Sequence, residues 1–303
     1  MVYIELNGRI GNNLFQIAAG ASYAKKYNLN YRVVCHDGYF LPEPDNCYIK
    51  DYIKQFKDNI LRNIPIQEGR PQEECFYYYD IDFVYREIPY HENILLYGTF
   101  HSYKYFDKEL VNSLFEISPS EKEYILNKYG DILSEDVTSI HVRRGDYCKQ
   151  PHRYAVASMP YFNKAIDYIG RDKKFLIISD DIEWCKKKFK GDNFYFSDNE
   201  KPIIDLYIQM LCKNNIISNS TFSWWGAWLN PNSDKVVIYP DPWYGKTFSN
   251  YNTKDLIPLD WIRTESKLSW GLYLLAISLN FKEKVQNLAP KSLKEKVKKF
   301  LKR

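Results

Sequence analysis

The chain opens on alternating positions, Val2, Ile4 and Leu6 against Tyr3 and Glu5, the period of two that marks a strand. Gly8-Arg9-Ile10-Gly11-Asn12-Asn13 breaks the alternation, and Leu14, Ile17, Ala18 and Ala21 then recur at helical spacing. The predicted order is strand, glycine turn, helix. Tyr31 to Cys35 reads as the next parallel strand. From about Gly38 to Glu92 the chain is rich in Pro, Tyr and charge with weak periodicity, so short irregular elements are expected there.

A more regular series starts near Val137. A strand over Val137 to Arg143 precedes a loop and a helix that Pro160 opens, carrying Phe162, Ile166 and Ile169. A strand over Phe175 to Ser179 ends in Asp180-Asp181, before helices around Trp184 to Phe189 and Ile203 to Cys212. A strand over Asn215 to Ser218 leads through Asn219-Ser220-Thr221 into a Trp-rich helix, and Lys235 to Tyr239 forms another strand. Strands alternating with helices mean mainly parallel sheets in an α/β fold. At 303 residues, the expected organisation is two Rossmann-like lobes facing one cleft, residues 1–135 and 136–264, with a helical basic tail over 265–303.

Composition narrows the class. Apolar residues at 45% and charged residues at 26% are ordinary for a globular chain, but an aromatic share of 17% is high and offers flat faces for packing or for sugar rings. The net charge of +4 is carried by the last residues, so the body is not basic and nucleic acid is not an expected partner. Cys35, Cys47, Cys75, Cys148, Cys185 and Cys212 lack metal-site or disulfide-framework spacing. With a first segment that reads as a strand rather than a leader, the expected setting is a reducing cytoplasm, with no Golgi anchor.

Three runs carry chemistry. In His141-Val142-Arg143-Arg144-Gly145-Asp146-Tyr147, a period of two puts His141 and Arg143 on one side of a strand, at its C-terminal end, where ligands of open α/β sheets gather. A guanidinium there suits a diphosphate; a structural cluster pairing Arg143 or Arg144 with Asp146 explains the spacing equally well. The turn at Gly8 to Asn13 lets amides approach an anion at a helix N-terminus, with Asn12 adding a donor, and an ordinary tight turn explains the glycines almost as well. Ser218-Asn219-Ser220-Thr221-Phe222-Ser223-Trp224-Trp225-Gly226-Ala227-Trp228 places capping residues between a strand and a helix; their amides can hold phosphate, Phe222 or Trp224 can stack on a ring, and Trp225 and Trp228 read as core.

Together with Gly98 to Phe106 and Ser179 to Cys185, these runs resemble the α-1,2-fucosyltransferases of glycosyltransferase family 11 over most of residues 1–240. The resemblance implies a GT-B-like pair of lobes and an inverting transfer of L-fucose from GDP-fucose to the 2-hydroxyl of a galactoside. The N-terminal lobe would take the acceptor and the C-terminal lobe the donor. It implies that Arg143 grips the departing β-phosphate with Gly11 and Asn12 opposite, that His141 and Asp181 lie on the guanine side, and that Ser220 and Thr221 lie near the phosphates. Arg144, Asp180, Asn219 and Phe222 complete the expected donor side, and His101 and Trp224 the acceptor side. His101 stands where the family often has Gln, and Asn214 where it often has His.

Asp146 is either a general base or the arginines' ion-pair partner. Asp80-Ile81-Asp82 fits a metal-binding D-x-D, but no metal or other cofactor is expected. The alternatives are a fucosyltransferase of other linkage or acceptor, and a non-catalytic carbohydrate-binding protein. Leu268 to Phe281 is apolar but short for a membrane span, and Lys282 to Arg303 reads as a basic amphipathic helix. That tail either contacts an anionic inner membrane or docks on the protein.

Overall fold

The computed structural model describes residues 1–35, 38–41, 44–80 and 83–288, the last five by backbone alone. The first half runs β1 (Val2–Glu5), α1 (Ile10–Lys26), β2 (Tyr31–Cys35), a hairpin of β3 (Phe40–Leu41) and β4 (Cys47–Tyr48), α2 (Ile49–Lys54), β5 (Ile66–Glu68), β6 (Phe76–Asp80) and β7 (Ile94–Gly98). Five of these strands form a parallel sheet in the order β5-β2-β1-β7-β6. The chain expected to be irregular thus supplies both edges. β6 was hidden because Phe76, Tyr77 and Tyr79 are exposed and break any alternation of apolar with polar residues.

Helices α3 (Lys108–Leu114) and α4 (Pro119–Leu133) connect the halves. Asp107 caps the first by accepting from the Leu110 amide at 2.9 Å, and Ser118 caps the second by accepting from Glu121 at 3.4 Å. The second half follows as β8 (Thr138–Val142), α5 (Gly145–Lys149), α6 (Met159–Ile169), β9 (Phe175–Ser179), α7 (Ile182–Lys188), β10 (Phe194–Phe196), α8 (Pro202–Leu211), β11 (Asn214–Ile216), α9 (Thr221–Trp228), β12 (Val237–Asp241), β13 (Ile262–Glu265) and α10 (Trp270–Leu288). Its parallel sheet has the order β10-β9-β8-β11-β12-β13. In chain order this is 3-2-1-4-5-6, the doubly wound arrangement, whose direction reverses between β8 and β11.

Both faces of the second sheet are covered. Ile140 and Val142 pack on one side with Phe162 and Ile166 of α6, while α8 and α9 cover the other and join the core of the first half. Phe15 of α1 lies 4.5 Å from Trp224 and 5.0 Å from Trp225, ring centre to ring centre, and the Trp225 indole donates to the Gly11 carbonyl at 2.9 Å. A Cβ on Gly11 would fall 2.6 Å from Thr221 Oγ1 and 2.7 Å from the Phe222 nitrogen. Glycine is required there for the close approach of α1 to α9. The two sheets are therefore joined through a shared aromatic core.

Candidate active site

The two sheets bring their switch points together. In the first sheet the reversal falls between β1 and β7, so the Gly8 to Asn13 turn and the Phe100-His101 segment leave from adjacent strand ends. In the second, Arg143 leaves β8 beside the Ser218 to Thr221 loop that follows β11. Gly8 starts the first turn at φ +75, a left-handed conformation that favours glycine. Asn12 then joins the two halves: its Oδ1 accepts from Thr221 Oγ1 at 3.0 Å and lies 3.3 Å from His101 Nε2.

A chain of ion pairs continues from there. Arg9 reaches Asp45 at 2.6 Å and Asp146 at 3.0 Å. Asp146 also accepts from Arg143 at 2.7 Å, and Arg143 pairs with Asp180 at 3.1 Å. Arg144 binds Asp181 at 2.9 Å through its side chain and Asp180 at 2.8 Å through its backbone amide. Burial opposes the Arg143 charge, but Asp180, Tyr147 and Asp146 outweigh it and hold the guanidinium protonated. Both carboxylate oxygens of Asp146 face a guanidinium, which favours the ion-pair reading of this residue over the base.

An aromatic arc rims the same region. The Arg143 guanidinium sits 5.1 Å from the Tyr147 ring, which stacks on Tyr154 at 4.1 Å. Tyr154 meets Phe248, Phe248 stacks on Tyr251 at 5.1 Å, Tyr251 lies 4.5 Å from Phe83, and Phe83 lies 5.2 Å from His101. Phe83 holds a left-handed backbone at φ +57, uncommon for an aromatic residue and a form of strain that clusters at functional sites. Sequence reasoning missed Arg9, Phe83, Tyr154, Phe248 and Tyr251. Arg9 lay inside a motif read only for its glycines, and the aromatics come from loops without periodicity.

The remaining expected residues divide. Ser220 and Thr221 open α9, the Ser220 side chain makes no capping bond, and the first amides of such a helix have no intrahelical acceptor. His141 is buried, with Nδ1 2.7 Å from Ser218 Oγ and its ring 5.5 Å from Phe222; burial, aided by Arg143, pushes its pKa down to about 3. His101 is likewise pushed to about 3 by burial, and its Nδ1 is buried without a hydrogen-bond partner.

Two expectations change. Trp224 is fully buried, its indole donates to the Leu256 carbonyl at 2.9 Å and its ring stacks on Trp228, so it offers no face to a sugar and belongs to the core. Asn219 is buried and donates to the Trp243 carbonyl at 2.8 Å, which fixes the loop instead of reaching outward. Of the D-x-D run, Asp80 accepts from the Phe100 amide at 2.6 Å and from Thr99, closing the end of the strand, whereas Ile81 and Asp82 lie outside the described residues.

Arg144 also covers the Trp184 ring at 3.9 Å. This pair forms one wall of an open pocket of about 670 Å³ at the same strand ends, lined as well by Met159, Pro160, Lys188 and Leu268. The pocket is lined from α6, α7 and the start of α10, and Arg144 is the residue of the ion-pair chain that reaches it.

The profile of glycosyl transferase family 11 matches residues 1–265. Among similar proteins, the O-antigen biosynthesis glycosyltransferase WbnK of Escherichia coli is 29% identical, covering 86% of this chain and 99% of that protein. An alpha-1,2-colitosyltransferase of Escherichia coli is 27% identical over 88% of this chain and 99% of that protein. The galactoside alpha-(1,2)-fucosyltransferase 1 of Saimiri boliviensis boliviensis is 32% identical over a shorter region, 30% of this chain and 28% of that protein.

Proposed function

We propose, from the premise that this chain belongs to glycosyl transferase family 11 and is therefore a glycosyltransferase, that it moves L-fucose from GDP-fucose to the 2-hydroxyl of a terminal galactoside with inversion at the anomeric carbon. The observation that carries the reading is the convergence of two switch points on one spot, where Asn12 meets Thr221 and the Arg9, Asp146 and Arg143 chain runs alongside. Such points are where open α/β sheets take their ligands.

In this reading the lobes are GT-B-like. The second half holds the donor, with Arg143 and the first amides of α9 on the diphosphate, and with His141 Nε2, Asp181 and the pocket beside Trp184 on the base side. The acceptor galactose stacks along the Phe83 and Tyr251 end of the arc, with the buried His101 behind it. The acceptor O2 bonds to the fucose C1 as the bond from C1 to the β-phosphate oxygen breaks, and GDP carries away the electron pair. Negative charge develops on the diphosphate, where fixed donors stabilise it most. Separation of C1 from the leaving oxygen runs ahead of bonding to O2, so the hydroxyl proton leaves late, to the departing β-phosphate or to water, and no side chain is assigned as its base. Asp146 positions Arg143 and Arg9. No metal takes part: turnover should survive a chelator, and loss that Mn²⁺ restores would contradict this.

One finding favours a second donor. The colitosyltransferase matches nearly end to end, and colitose is L-fucose without its 3-hydroxyl, so a GDP-linked colitose would present the same diphosphate and ring. Incubation with each nucleotide sugar and a panel of β-galactosides, followed by linkage analysis, tests both readings. A 2-linked α-fucosyl product is expected. Transfer to another hydroxyl, or from the colitose donor alone, would overturn the proposal.

A further inference from the structure

Helix α10 carries two apolar stripes where a surface helix has one. Leu272, Ala276 and Leu279 are half-buried toward the body, and Glu283 on the same side reaches Arg153 at 2.6 Å and His152 at 3.3 Å. That stripe, with its ion pairs, accounts for how the helix is held. The second stripe is Trp270, Tyr273, Leu274, Ile277 and Phe281, spaced i, i+3, i+4, i+7 and i+11, and it faces outward. Trp270 is 73% exposed, Ile277 51% and Phe281 70%. No charged residue interrupts the chain between Lys267 and Lys282, so the outward face lacks the polar side that normally keeps such a helix in water.

We propose that this outward stripe is a membrane contact, seated in the headgroup and upper acyl region of an anionic bilayer with α10 lying parallel to the surface. Two features select a lipid surface over a protein partner, and a third sets the orientation. The stripe begins and ends on aromatic residues, with Tyr273 between them, and such rings favour the boundary between water and lipid. Directly after it, residues 282–303 carry nine Lys or Arg against two Glu, which complements anionic headgroups. Among the described residues no helix is long and apolar enough to cross a membrane, which leaves the in-plane geometry. The same surface would hold the aromatic arc near lipid, because Arg153, gripped by Glu283, directly precedes Tyr154. An acceptor glycan carried on a lipid would then be delivered to the rim of the site.

The test uses the full chain and vesicles of phosphatidylglycerol and phosphatidylethanolamine, with phosphatidylcholine vesicles as the neutral control. The protein should float with the anionic vesicles, and the triple variant Trp270→Ser, Ile277→Asp, Phe281→Asp should partition about tenfold more weakly or worse. Circular dichroism and transfer to a soluble galactoside should be unchanged in that variant, which separates loss of membrane contact from loss of fold. Equal flotation of variant and wild type would overturn the inference and leave the basic residues alone as the contact. So would a wild-type dimer in light scattering that the variant abolishes without vesicle binding, since the stripe would then cover a second copy.

Discussion

Arg143 is held in place by carboxylates before any donor arrives. Asp146 and Asp180 occupy two of its terminal nitrogens, and its Nε is buried without a partner. A diphosphate that binds here exchanges those partners for phosphate oxygens, and the guanidinium moves little because Tyr147 packs against it. Arg143→Ala should therefore lower kcat by roughly 100- to 1000-fold, the cost of one fixed donor at a developing charge, with little change in Tm. Arg143→Lys should recover only a small part, since an ammonium cannot pair with two oxygens in the same fork. Asp146 separates two mechanisms. As a positioning residue, its Asn variant should be slower with the shape of the kcat/KM pH profile unchanged; an acid limb present in wild type and absent from the variant would make Asp146 the base.

At the scale of elements, α1 and α9 do most to define the site, and their contact explains why the sequence was legible in some places and opaque in others. Gly11→Ala places a methyl against the Thr221 and Phe222 backbone, so it should destabilise by about 1 to 3 kcal/mol and also reduce transfer by moving Asn12 off Thr221. Trp224→Ala should cost about 3 to 5 kcal/mol in urea unfolding, as for a core indole, without changing the order of preference among acceptors. Helix α6 could be read from periodicity because it presents one consistent buried face, and strands β1, β2 and β9 because their short apolar runs are bounded by turn residues, although both faces of β1 and β9 are buried. On α9, Trp225 and Trp228 read as core and pack there, but Trp224 could not be told from a stacking residue: the helix packs between α1, α8 and its own sheet, so a buried and a stacking tryptophan look alike in sequence. Strand β6 and the loop residues Phe83, Phe248 and Tyr251 left no periodic signal, since exposure and loop geometry decide their roles. Arg143, Arg144, Asp180 and Asp181 were legible because an open parallel sheet places its strand ends predictably. The basic tail from Ala289 onward lies outside the described residues.

The whole molecule links its junction to its stability. His101 and His141, one from each half, are both pushed down to about 3 by burial from the ordinary 6.5. Between those values the unfolded chain binds protons that the folded chain refuses, so stability falls as pH drops through that window. Asp205, raised by burial to about 7 from 3.8, acts oppositely, because the folded chain holds its proton between those values. The balance from pH 7 to pH 5 should be a net loss in urea unfolding, to which His152, also lowered by burial, adds, and the loss should grow by about 2 kcal/mol in Asp205→Asn. A flat profile in both would mean that neither histidine is buried as described. The central claim is that Arg143 receives the donor diphosphate, and calorimetric titration of GDP into wild-type protein and Arg143→Ala measures it without any acceptor. Wild type should bind GDP, and the variant should bind about 100-fold more weakly while keeping its melting temperature. Equal affinity in the two proteins would contradict the claim and move the diphosphate elsewhere on the fold.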